Sequence, residues 1–220
     1  MIDVIVEKGA KRVFVSAVEW PGWARSGKSE DEALATLLLY APRYTRAIGT
    51  KFGFKAPSEA GSFRVVERVR GNATTDFGAP GIPAKVDAAE VGGADLARLR
   101  ALLITGWKAF DKGVDAARGK KLATGPRGGG RALTAVVDHV RDAEAGYISA
   151  LGYPFKPTAR GRALLDATRT AAVEGIGASA RGEIPAKGPR GGRRWKPRFF
   201  VRRDLWHILD HLWEIEDRVT

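Results

Sequence analysis

The period of the apolar pattern changes near Gly93, and that change limits the fold more than any other feature of the chain. Before it, residues alternate in and out. Ile2-Asp3-Val4-Ile5-Val6 and Arg12-Val13-Phe14-Val15-Ser16-Ala17-Val18 read as strands joined at Lys8-Gly9-Ala10, and Phe63-Arg64-Val65-Val66-Glu67-Arg68-Val69 reads as another. Ser29 and Glu32 form a capping box that opens a helix with the stripe Ala33, Leu34, Leu37, Leu38 and Ala41, which Pro42 ends or kinks. Beyond Gly93 the period is helical, over residues 95–117, 131–151, 161–178 and 201–219. The Gly- and Pro-rich run Gly78-Ala79-Pro80-Gly81-Ile82-Pro83 lies between the two regimes. The expectation is an α+β chain of two domains: a small β-β-(β)-α-β domain over 1–75, a linker over 76–92, and a four-helix bundle over 93–220.

The chain has no cysteine, which excludes disulfide scaffolds, thiolate metal sites and a cysteine nucleophile. No apolar run approaches the roughly 18 residues of a membrane span, and no basic-then-apolar leader opens the sequence. A cytoplasmic protein without membrane contact is the expectation.

All three histidines fall on predicted helices of the second half. His207 and His211 are spaced i, i+4, so both rings project from one helical face, as two ligands of one metal require. The third ligand must come from another helix, and His139 is the only candidate. The stretch Asp138-His139-Val140-Arg141-Asp142-Ala143-Glu144 echoes Asp210-His211-Leu212-Trp213-Glu214-Ile215-Glu216, and Gly-Pro-Arg-Gly-Gly precedes both helices, at Gly125 and Gly188. Read as a duplication, the echo predicts two equivalent, parallel ligand helices with both basic segments at the same end. Asp142, Asp210 and Glu214 are candidate partners of the ligands or bases, against the plainer reading as solvated helix-face carboxylates.

The formal charge of +12 is concentrated. Residues 118–131 hold five basic groups and no acid, residues 179–203 hold nine and one acid, Glu183, and the remainder is nearly neutral. With parallel helices, Arg127, Arg190, Arg193 and Arg194 would form an anion-attracting rim around the mouth of the metal site. The alternative is a nucleic-acid-binding or antitoxin-like regulator, in which Trp195, Phe199 and Phe200 stack bases among Arg193, Arg194, Lys196 and Arg198. Against it, the same aromatics can dock the segment on the bundle.

One histidine on the second helix and a His-x-x-x-His pair on the fourth, closing with Asp204-Leu205-Trp206-His207-Ile208-Leu209-Asp210-His211-Leu212-Trp213-Glu214, resemble the DinB/YfiT-like superfamily. The likeness covers residues 95–220. It implies His139, His207 and His211 as ligands of a divalent ion, zinc or nickel, with open positions for water or substrate. It further implies a metal-dependent transferase, isomerase or hydrolase acting on a small anionic substrate, in some relatives with a low-molecular-weight thiol as cosubstrate. A homodimer is compatible with it.

Gly22-Trp23-Ala24-Arg25-Ser26-Gly27-Lys28-Ser29 fits the P-loop pattern between a predicted strand and helix. A P-loop fold needs several parallel strands and a magnesium-holding acid, for which this half is too short. Residues 14–34, with Glu19-Trp20-Pro21-Gly22-Trp23 and Glu32-Ala33-Leu34, instead resemble the HicB-like antitoxin domain over residues 2–70. Trp23 stands where that family has a small residue, and no DNA-binding segment follows. The resemblance therefore implies a scaffold or partner-contact module, without toxin neutralisation.

Overall fold

The computed structural model describes residues 1–124 and 130–220. It is a mixed α+β chain, with a four-stranded sheet at the N-terminal side followed by a region of long helices. Two compact units are present, one of residues 1–89 with 201–206, the other of 90–200 with 207–220.

The first unit contains β1 Ile2–Lys8, β2 Val13–Ala17, β3 Ala24–Gly27, α1 Glu30–Leu39, α2 Ala41–Tyr44, α3 Thr50–Phe52, β4 Phe63–Arg70 and α4 Ala73–Phe77. The strands run in the order β3-β2-β1-β4, antiparallel except for the β1–β4 pair, which is parallel with a register shift at Val4/Ile5. Pro42 does not continue α1. It lies in the first turn of α2, where its missing N–H costs nothing.

Trp23 anchors the core of this unit. Fully buried, it stacks on Tyr44 at 5.8 Å and meets Phe54 edge-on at 4.9 Å. Its indole N–H donates to the Leu37 carbonyl, and the Tyr44 hydroxyl donates to the Pro21 carbonyl, both at 3.0 Å. These bonds give both rings the polar partner that burial demands. The P-loop-like stretch is thus accounted for by packing and capping. Ala24 to Gly27 are paired with β2, so their backbone is committed to the sheet. A Cβ on Gly27 would meet Glu32 at 2.5 Å, so glycine lets α1 begin against the strand. The Lys28 N–H, which a phosphate loop would aim at its ligand, donates to Glu32 at 2.8 Å, while Ser29 Oγ accepts from the Glu32 N–H at 3.2 Å.

Residues 71–89 belong to this unit. The buried Glu7 carboxylate accepts from the Thr75 hydroxyl at 2.6 Å and from the Gly81 and Ile82 N–H groups at 3.0 Å. The buried Arg202–Asp87 ion pair and the edge-on contact of Trp206 with Phe14 at 5.8 Å complete it.

The second unit is built on α5 Gly93–Ala117, α6 Leu133–Leu151, α7 Gly161–Ala180 and α8 Pro197–Arg218. Contacts fix their directions. Arg100 reaches the Val173 carbonyl and Asp111 pairs with Arg169, so α5 and α7 are antiparallel. Arg169 lies over Trp107, which donates to Glu144, while Leu151 meets Gly175; α6 and α7 are therefore parallel. The Arg218 guanidinium donates to the Arg131 carbonyl, just before α6. At the other end of α6, the Trp195 N–H donates to the Ala150 carbonyl. The two histidine-bearing helices are accordingly antiparallel, which overturns the parallel arrangement expected from the sequence echo. The reason lies in the 152–160 connection, which returns along α7 instead of closing a hairpin, as contact of Tyr153 with Gly175 and Glu174 shows.

Candidate metal centre

Helix α6 presents the buried stripe Val136, Val140, Glu144, Ile148 and Leu151 to its neighbours. His139 and Tyr147 fall beside that stripe, half-buried, on the side that meets α8. Helix α8 is buried on most of its faces, so His207 and His211 are 6% and 9% exposed. Because α8 carries charged and polar groups as well as apolar ones into buried positions, those groups must find partners within the protein.

The three histidines converge. His207 Nε2 lies 3.3 Å from His139 Nε2 and 3.2 Å from His211 Nε2, and the ring centroids are 4.6 to 5.1 Å apart. These side chains lie close enough together to hold a metal ion. Tetrahedral coordination with bonds of about 2.0–2.1 Å separates ligand nitrogens by about 3.3 Å. Two of the three edges match that spacing, and all three donor atoms lie within 4.8 Å of one another.

Electrostatics favour the ligand form. Burial, and then repulsion from the neighbouring His211 and Arg131, lower the His139 pKa from its ordinary 6.5, which favours the neutral ring. His211 Nδ1 lies 2.6 Å from Glu214 Oε2. The carboxylate can only accept, so the proton belongs on Nδ1, and the Nε2 lone pair is free to point at the cluster. The hydrogen bond from His211, helped by Arg218, holds Glu214 well below the carboxylate range, at about 2.

Of the proposed partners, Glu214 is bonded to a histidine of the cluster, His211. Asp142 is exposed and takes the Arg141 fork at 2.8 and 3.0 Å. Asp210 is half-buried on α8 between the two ligands in sequence. The echoed positions have different fates, since Glu144 is fully buried and Glu216 is exposed. Arg190 and Arg193 are exposed, the half-buried Arg194 donates to the Gly152 carbonyl at 3.3 Å, and Arg127 lies outside the described residues. Among the described residues, Arg131 of the first basic segment adjoins the start of α6 and Trp195 of the second adjoins its end, so these two points lie at opposite ends of that helix. Arg131, which the rim did not include, is the basic residue felt by His139. Phe199 and Phe200 are buried, and Trp195 packs on Tyr147 at 5.3 Å, so these aromatics dock the second basic segment.

Arg218 and Tyr147 escaped the sequence reading. Arg218 had a detectable signal, lying four residues after Glu214 and seven after His211. Tyr147, whose ring is 5.9 Å from that of His207, had none beyond sharing a face with His139. No protein-family model, curated protein or solved structure matches the chain.

Proposed function

We propose that the protein is a metal-dependent enzyme whose centre is held by His139, His207 and His211. The observation that carries this reading is the convergence of three imidazoles whose donor atoms lie within 4.8 Å of one another, with two edges, 3.2 and 3.3 Å, at tetrahedral ligand spacing. The four long helices are read as a four-helix bundle of the DinB/YfiT-like kind, and the sheet-bearing part as a HicB-like scaffold or contact module. A bound zinc or nickel ion would lower the pKa of a coordinated water or thiol and polarise a substrate carbonyl.

The chain's own residues supply the rest. Burial and the nearby Arg131 favour a neutral His139, and Glu214 keeps His211 in the tautomer that offers Nε2. The wall of Tyr147 and Trp195 limits water on the His207 side. The half-buried His139 provides the approach, along a strip where Gly146 leaves open space. Arg131 places a positive charge near that approach, which favours a small anionic substrate. The reaction class is thiol-dependent transfer or isomerisation, or hydrolysis, in a cytoplasmic setting.

Metal analysis of protein purified without a His tag tests the reading. One divalent ion per chain is expected, and His207→Ala or His211→Ala should abolish stoichiometric binding. Absence of metal, together with a melting temperature unchanged by added zinc or nickel, would overturn it.

A further inference from the structure

The three ligands are not held alike. His211 is tied through Nδ1 to Glu214, and Glu214 is in turn tied through Oε1 to Arg218 Nη1 at 2.6 Å. Arg218, 4% exposed, also donates from Nε to the Ala123 carbonyl and from Nη2 to the Arg131 carbonyl, each at 2.9 Å. Its planar fork thus closes three separate connections, which a lysine ammonium cannot reproduce. Between two groups of fixed position, the Glu214 carboxylate has little freedom to rotate.

We propose that Glu214 and Arg218 are a positioning pair that locks the Nδ1–H tautomer and the ring orientation of His211, so that its Nε2 is presented to a metal ion before the ion arrives. The pair touches neither metal nor substrate and acts through His211 alone. This rests on the metal-centre reading above. Carboxylates in this position strengthen the ligand and usually change metal affinity by about 10- to 100-fold when removed.

Two measurements on the full chain decide it. In metal-free protein, imidazole nitrogen chemical shifts should report Nδ1–H for His211 in the wild type. Glu214→Ala should give an Nε2–H or mixed population, and Glu214→Gln should retain Nδ1–H through its amide oxygen. In zinc titrations, Glu214→Ala should weaken binding about 10- to 100-fold, Glu214→Gln less, and Arg218→Lys should fall between them. An unchanged His211 tautomer in Glu214→Ala would overturn the pair, as would wild-type zinc affinity in that variant. If the wild type itself fails to bind zinc, the metal reading falls, and the pair's role in presenting a ligand falls with it. The tautomer shift would then still separate a hold on His211 from none. Retention of helical signal in Glu214→Ala excludes loss of fold as the cause.

Discussion

The helical unit buries two polar clusters, and they treat their carboxylates in opposite ways. At the histidines, Glu214 receives an imidazole N–H and a guanidinium directly, and is held at about 2. In the second cluster, Glu144 on α6 is fully buried, and its carboxyl is pushed up to about 7, chiefly by that burial. It too has an arginine nearby, but the Arg169 fork is spent on Asp111 at 2.7 and 2.8 Å, leaving Glu144 only the indole N–H of Trp107. The two acids thus differ in both burial and bonding: Glu144 is fully buried without a direct bond to a cation, whereas Glu214 is 32% exposed and bonds a guanidinium directly.

The strongest way to break the contrast is at the histidines. His207→Ala and His211→Ala should each lose stoichiometric zinc, measured by metal analysis after dialysis, whereas Glu144→Gln should bind zinc as the wild type does. Next, Arg169→Met takes from Asp111 its two shortest bonds, leaving the longer 3.5 Å pair with Arg162, and removes the guanidinium from Trp107. It should lower stability in urea by about 3 kcal/mol, the low end for breaking a largely buried pair.

Acidity sharpens the comparison. The folded state binds the Glu144 proton more tightly than the unfolded chain, whose value is near 4.5. Stability should therefore fall as pH rises from about 4.5 to about 7, by up to about 3 kcal/mol. Glu144→Gln should remove that slope, since the amide oxygen can still accept from Trp107. Glu214 predicts the reverse on the acid side. Its stabilisation is present above about 4.5 and is lost as pH falls toward about 2, so Glu214→Gln should flatten unfolding curves there. The smallest effect is expected at Asp142→Asn, an exposed group paired with Arg141. Zinc affinity should not move, and stability should change by less than about 1 kcal/mol.

Legibility in the sequence followed the range of the forces involved. The helices expected at 95–117, 131–151, 161–178 and 201–219 appear at 93–117, 133–151, 161–180 and 197–218, because periodicity is a local record of which face is buried. The three-histidine cluster was readable because only three histidines exist and two share a face. Glu214 was readable as a candidate through its spacing, but not separable from Asp142 and Asp210, since choosing among them depends on which neighbour each meets. Helix direction was misread, because the echo in residues 138–144 and 210–216 carries no information about the path of the chain between them. The Gly-Lys-Ser stretch, set aside from the sequence because this half is too short for a P-loop fold, owes its actual role to pairing with β2 and to the Lys28–Glu32 bond, neither of which spacing records.

The returning connection between α6 and α7 has a length that works as a ruler. Gly175 sits level with Leu151, so the chain must travel back some 14 residues of helix, about 21 Å, before α7 can start at Gly161. The nine residues 152–160 reach about 30 Å when fully drawn out, and Pro154 and Pro157 bias them toward that extended form. Little slack is left once the sideways crossing is included. A deletion of four residues there could no longer span the return, and α7 would have to reverse, carrying Arg169 away from Asp111. A short segment with no side chain in the centre thus decides which helices can meet around it.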